Sequence, residues 1–260
     1  MATDTIAGFY NELAPYYHLI FEDWDKSIER QGAVLNSLLA SQSGAGPRRI
    51  LDCACGIGTQ AIGLARHGHR VTGADLSPAA VERAKREAEG RGLDISFLVS
   101  DMTSLAEIEE CGFDVVLALD NALPHLEPAG LNDAVNAISA KLRPGGLFLA
   151  STRDYDALIR ERPTVQGPSF YGHDGQRRIV LQVWDWLDRE RYRLHMYITH
   201  QADGHWESHH FVSEYRCLQR GELSRALASA GMEAIRWLMP DESGFYQPLV
   251  VARKPKAAVG

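Results

Sequence analysis

Cysteine is scarce and unpatterned. The chain of 260 residues has four (Cys53, Cys55, Cys111, Cys217), with no CxxC pair and no repeated spacing, which excludes a disulfide scaffold and points to reduced thiols. Basic residues are outnumbered: 27 Lys and Arg stand against 34 Asp and Glu, a formal charge of −7. That balance argues against a nucleic-acid partner, since phosphate binding draws on clustered cations. No apolar run approaches the roughly 20 residues of a bilayer span, so no membrane partner is expected. The opening stretch from Met1 to Tyr10 lacks the basic and apolar regions of a secretory signal, and a cytoplasmic location is the expectation. There is no internal repeat of 20–50 residues and no low-complexity segment beyond a short tail. What remains is 45% hydrophobic and 23% charged residues, enough to bury a full core in one α/β domain carrying an insertion.

Along the chain, an aromatic-rich opening (Phe9-Tyr-Asn-Glu-Leu-Ala-Pro-Tyr-Tyr-His18) precedes a helical stretch from Trp24 to Leu39 and a loop, Ser41 to Pro47. From Arg48 short strands alternate with helices. Strands are predicted at Arg49–Asp52, Arg70–Asp75, Ile95–Val99, Phe113–Leu119 and Leu147–Ala150, and helices at Gln60–His67, from Ser77 and Pro78 onward, and at Pro128–Leu142. Such alternation implies βαβ units and a parallel sheet. Residues 160–217 break the rhythm, with antiparallel strands expected at Ile179–Trp184, Tyr192–Ile198 and Trp206–Tyr215. A helix at Gly221–Ala230 and strands at Glu233–Leu238 and Gln247–Ala252 close the chain.

The informative stretch is Leu51-Asp-Cys-Ala-Cys-Gly-Ile-Gly-Thr59. A strand ends in an acid, then Gly56 and Gly58 let the backbone pass close to a ligand at the carboxyl edge of a sheet. With Ala61 in third place the spacing also fits a dinucleotide fingerprint. Asp52 favours a ligand ammonium over a pyrophosphate, which it would repel. Asp75 ends the second strand, where an acid can accept from both ribose hydroxyls. Asp101 and Met102 close the third and could address an adenine. One such acid would pass for a helix cap; three at successive strand ends, beside a glycine loop, are poorly explained by capping.

At these residues, over about 48–153, the sequence resembles the class I S-adenosylmethionine-dependent methyltransferases. The resemblance implies an enzyme with a Rossmann-like seven-stranded α/β sheet, helices on both faces, an inserted antiparallel β-flap and an N-terminal helical lid. The parts would be a lid over 1–47, a cofactor-binding core over 48–159, a flap over the acceptor site at 160–217, and the end of the core sheet at 218–260. S-adenosyl-L-methionine, leaving as S-adenosyl-L-homocysteine, would meet Asp52, Ala54, Gly56 and Gly58 at its amino-acid end. Asp75 would take its ribose and Asp101 and Met102 its adenine, with Leu76 and Leu119 as further cofactor contacts.

Within that class, Asp120-Asn-Ala-Leu-Pro-His125 and Arg153-Asp-Tyr-Asp156 look like the glycine N-methyltransferase group. Carried over by motif, Asn121 and His125 would orient the acceptor and Arg153 would clamp its carboxylate; these three are the candidate catalytic residues. Tyr215, Tyr171 and an N-terminal tyrosine, Tyr17 or Tyr16, would line the pocket. In chemical terms, Arg153 offers a planar fork for a carboxylate, Asn121 an amide oxygen for an amine proton, and His125 the nearest general base. The group has glycine where this chain has Asp120, an acid that could meet a cationic substrate group or the cofactor's amino end. Arg177, Arg178, Trp184 and Trp186 give the flap its own character, so an acceptor larger than glycine fits equally.

The bland readings stand beside these. Arg153 could pair with Asp154 or Asp156. His200, His205, His209 and His210 are expected on solvated turns, with no three on one face, and no metal is expected. O- or C-methylation of another metabolite, a nucleotide-dependent dehydrogenase and a non-catalytic cofactor sensor are the alternatives. Nucleic-acid methylation is disfavoured by the acidic balance and by the absence of an Asn-Pro-Pro-aromatic motif after the fourth strand. The acceptor would be a small molecule, and the chain a monomer or homo-oligomer.

Overall fold

The computed structural model describes residues 2–256. The chain opens with α1 (Ala2–Leu13), a 3₁₀ turn at Tyr17–Ile20 and α2 (Trp24–Ser43). The alternating part follows: β1 (Arg49–Asp52), α3 (Thr59–Arg66), β2 (Arg70–Asp75), α4 (Pro78–Glu89), β3 (Ser96–Val99), β4 (Phe113–Ala118), α5 (Pro128–Lys141) and β5 (Leu142–Ser151). After α6 (Tyr155–Glu161) come the antiparallel strands β6 (Val165–Tyr171), β7 (Arg178–Trp186), β8 (Arg191–Ala202) and β9 (His205–Arg216). The end is α7 (Arg220–Ser229), β10 (Glu233–Leu238), α8 (Pro240–Ser243) and β11 (Leu249–Arg253).

Two sheets result, a seven-stranded one in the order β10-β11-β5-β4-β1-β2-β3 and a four-stranded one in the order β6-β7-β8-β9. In the first, only β11 runs antiparallel to its neighbours. β1 and β4 are buried along almost their whole length, as apolar strands covered on both faces by helices must be. Strand order reverses beside β1, which pairs with both β2 and β4, and doubly wound sheets bind ligands at the carboxyl ends around such a point. Ser77 caps α4 by accepting from the Ala80 amide, with Pro78 in its first turn.

Two expectations are revised. β6 went unread because Gly167-Pro168 interrupts it; proline is tolerated there since β6 is an edge strand, and its register with β7 shifts between Gln166 and Ser169. Arg143-Pro-Gly-Gly146 lies at the start of β5, and the helix before it ends at Lys141. α2 packs face to face on α3 through Gly32 and Gly63, where an added Cβ would meet backbone at 2.6–2.7 Å.

Candidate active site

The carboxyl ends of the parallel strands open into two adjoining cavities. The first, of about 300 Å³, is walled by the β1–α3 loop (Ala54, Gly56), by Asp75 and Leu76 after β2, by Asp101 and Met102 after β3, and by Leu119 after β4. Seven of the nine residues read as cofactor contacts therefore come together, although they lie up to 65 positions apart. Gly58 stands outside the wall; its φ of +93° lets it start α3, and a side chain there would press on Ile62. Asp52 also sits behind the wall, buried, with one carboxylate oxygen near the Ala54 amide and the other without a partner. Burial pushes its carboxyl up to about 7.

The strand-tip acids serve the protein as well. Asp75 accepts from the amides of Gly56 (2.8 Å) and Ser77 (2.9 Å), and Asp101 from that of Thr103 (2.8 Å). Each carboxylate has four acceptor positions, so these bonds orient the acids and leave acceptor capacity facing the cavity. Burial pushes Asp75 above the usual carboxylate range despite its amide donors.

The second cavity, about 780 Å³, is bounded by the sheet edge, the antiparallel flap, α1 and α2. Asn121, Arg153, Tyr171, Tyr215 and Tyr17 all line it. Of the two N-terminal candidates it is Tyr17 that faces the site, donating to Asp120 at 3.2 Å, whereas Tyr16 stacks on His209 at 3.8 Å. The Arg153 guanidinium donates to Tyr192 Oη (2.7 Å) and Gln182 Oε1 (3.2 Å), and lies over the rings of Trp184 and Tyr215. Asp154 and Asp156 are turned away to Arg220. Arg153 thus forms no ion pair among the described residues, and its cation faces the cavity uncompensated.

Two chemical assignments change. Asn121 cannot present its amide oxygen to an amine, because that oxygen already accepts from the Arg153 backbone amide and from Tyr155 Oη, both at 3.0 Å. The backbone donor fixes the amide's orientation, and the group left buried and unpartnered is Nδ2, a donor. His125 lines the first cavity and not the second. Its Nε2 lies 2.9 Å from Tyr10 Oη, and burial lowers its pKa to about 4, so it is neutral and a weak base near neutral pH. Asp120, by contrast, lines both cavities, held by donors from Tyr17 and Tyr246. Tyr155, Gln182, Tyr192 and Tyr246 escaped the sequence reading, and Tyr10 entered it only within the aromatic-rich opening. Only Tyr155, two residues after Arg153, carried a local signal.

The strand order and the helices on both faces define a doubly wound sheet with acids at three successive strand tips. Residues 50–146 match the methyltransferase-domain family. It is 42% identical over 104 residues to a ubiquinone biosynthesis O-methyltransferase of Methylocella silvestris, covering 40% of this chain and 39% of that protein. A glycine N-methyltransferase of Rattus norvegicus is 30% identical over 139 residues, covering 48% and 47%. The chain spans about half or less of the length of these two curated relatives. Among solved structures, the SAM-bound amino pentose methyltransferase CalS10 of Micromonospora echinaspora superposes with a TM-score of 0.70 at 22% identity, over 87% of this chain and 91% of that one.

Proposed function

We propose that this chain is an enzyme that transfers a methyl group from S-adenosylmethionine to the nitrogen of a small amine that also bears a carboxylate. The first cavity would take the cofactor. Asp75 offers hydrogen-bond acceptance for ribose hydroxyls, and Asp101 and Met102 lie where an adenine would be addressed, while Asp52 stands behind the wall and braces the glycine loop near the Ala54 amide. The bound cofactor supplies an electrophilic methyl group on a sulfonium.

The observation that carries the acceptor reading is the pair of unlike charges in the second cavity: Arg153, without an acid partner, and Asp120, at the junction of the two cavities. A carboxylate on Arg153 and an amine on Asp120 fit an amino-acid-like molecule, with Asn121 Nδ2 as a further donor. Asp120 would hold the amine N–H and direct its lone pair toward the cofactor side. Tyr10 and Tyr17 border both cavities and exclude water, leaving the protein to contribute mainly positioning and desolvation. A space of about 780 Å³ admits acceptors well beyond glycine. Arg153 and the flap lie outside residues 50–146, so the family match does not reach the carboxylate side of the acceptor cavity.

The test is a turnover screen of the full chain against amino acids, guanidino acids, amines and phenols, read by release of S-adenosylhomocysteine. Amines lacking a carboxylate should turn over poorly. Arg153→Ala should raise acceptor KM at least about tenfold, the loss of one charge-assisted bond, with S-adenosylhomocysteine affinity nearly unchanged. An unaltered KM would remove the carboxylate reading. O-methylation is the second reading, favoured by the likeness to the ubiquinone enzyme. Turnover confined to hydroxyl acceptors would establish it.

A further inference from the structure

Away from both cavities, the far end of the flap gathers imidazole and carboxylate groups that the proposed reaction does not use. β8 and β9 pair without a bulge from Arg191–Arg216 to Ala202–His205, and this register sets His200 opposite Glu207. His205, Glu207 and His209, two residues apart along β9, share that face. The spacing predicts no three of the histidines on one face; cross-strand pairing, invisible along one strand, sets His200 on the face of His205 and His209.

We propose that His200, Glu207 and His209 form a binding site for a divalent transition-metal ion of the zinc class. The Nε2 atoms of His200 and His209 lie 3.3 Å apart, and Glu207 Oε2 is 3.8 Å from His209 Nε2. All three ligand atoms fall within 4.8 Å of one another. Tetrahedral bonds of about 2.0–2.1 Å put neighbouring ligands about 3.3–3.4 Å apart, so the ladder already holds the two nitrogens at a metal's spacing. Two imidazoles and one carboxylate suit zinc, cobalt or nickel; calcium and magnesium prefer all-oxygen sites. The second Glu207 oxygen is 3.0 Å from His205 Nε2, the supporting bond that ligating carboxylates usually have. The three side chains are half-buried, and Tyr16 stacks on the His209 ring. Arg178, paired with His200 across β7 and β8, donates to the carbonyls of Leu19 and Phe21. The site therefore lies where the flap meets the segment that delivers Tyr17 to the cavities.

The experiment is calorimetric titration of the full, tag-free chain with zinc chloride, in a Cys111→Ser background because that thiol is exposed. Cobalt(II) visible absorption serves as a second readout. One equivalent should bind with a tetrahedral cobalt spectrum. His200→Ala and His209→Ala should each weaken binding more than tenfold, and His205→Ala about tenfold. Glu207→Gln, which keeps the side chain's shape, carries the test if an alanine variant loses its fold. No stoichiometric binding would overturn the site, as would loss in His210→Ala, on the opposite face, with His209→Ala unaffected.

Discussion

Asp120 and Asn121 both adopt left-handed backbone conformations, with φ of +55° and +66°. Non-glycine residues hold such angles only where their surroundings over-determine them. Here the Asp120 and Asn121 amides donate to Ser151, and the Asn121 side chain is locked between Arg153 and Tyr155. Asp120→Asn keeps the shape and removes the charge; it should lower kcat/KM for an amine acceptor at least about tenfold while Arg153-dependent KM discrimination persists. Steady-state kinetics on the acceptor found by screening decide it. Asp52 makes a separate prediction. Burial, with smaller repulsion from Asp75 and Asp120, holds its folded pKa near 7, above the unfolded value of about 3.9. The folded state then binds the extra proton, so this group costs stability increasingly as pH rises from about 4 to 7 and by a constant amount above. Asp52→Asn should match the parent in urea unfolding at pH 4 and exceed it at pH 8 by on the order of 4 kcal/mol. A gap independent of pH would contradict the assignment.

Elements place these residues. Gly56 and Gly58 turn the chain from β1 into α3, and the α2–α3 crossing holds α3 against the core through Gly32 and Gly63. Gly63→Ala would drive a methyl group into the Ile28 carbonyl at 2.6 Å. It should destabilise by about 1–3 kcal/mol, the usual cost of overpacking, in urea titration, with acceptor KM unchanged. Most elements were legible locally: alternating apolar strands, the Ser77-Pro78 start of α4, the glycine loop. β6 was not, because Gly167-Pro168 reads as a breaker and only an edge position makes it tolerable.

The whole molecule decides access. Phe9 and Leu13 of α1 are buried, and Asn11 Oδ1 accepts from Ser77 Oγ and the Ala79 amide, fastening α1 to α4. Tyr10 and Tyr17 of this N-terminal segment border both cavities, so a ligand bound there should order it. S-adenosylhomocysteine at a hundred times its Kd should add about 2.7 kcal/mol, a Tm rise of roughly 5–10 °C for a domain of this size. Amide exchange over residues 6–21 should slow in parallel; a Tm shift without that protection would separate the cofactor from the lid.

From sequence alone came the strand-tip acids, the glycine loop and the class of sheet, because each follows from the local period of a short strand or helix; the candidate acceptor residues came from the resemblance to the glycine N-methyltransferase group. Tertiary structure decided the rest. Arg153 is left without an acid because Arg220, far along the chain, captures both acidic neighbours. Asn121 turns its donor outward because a backbone amide occupies its oxygen. His200 meets Glu207 because two strands pair in one register. Charge partners, amide orientation and register depend on groups distant in sequence, and the physics that selects among them exists only once the chain has folded.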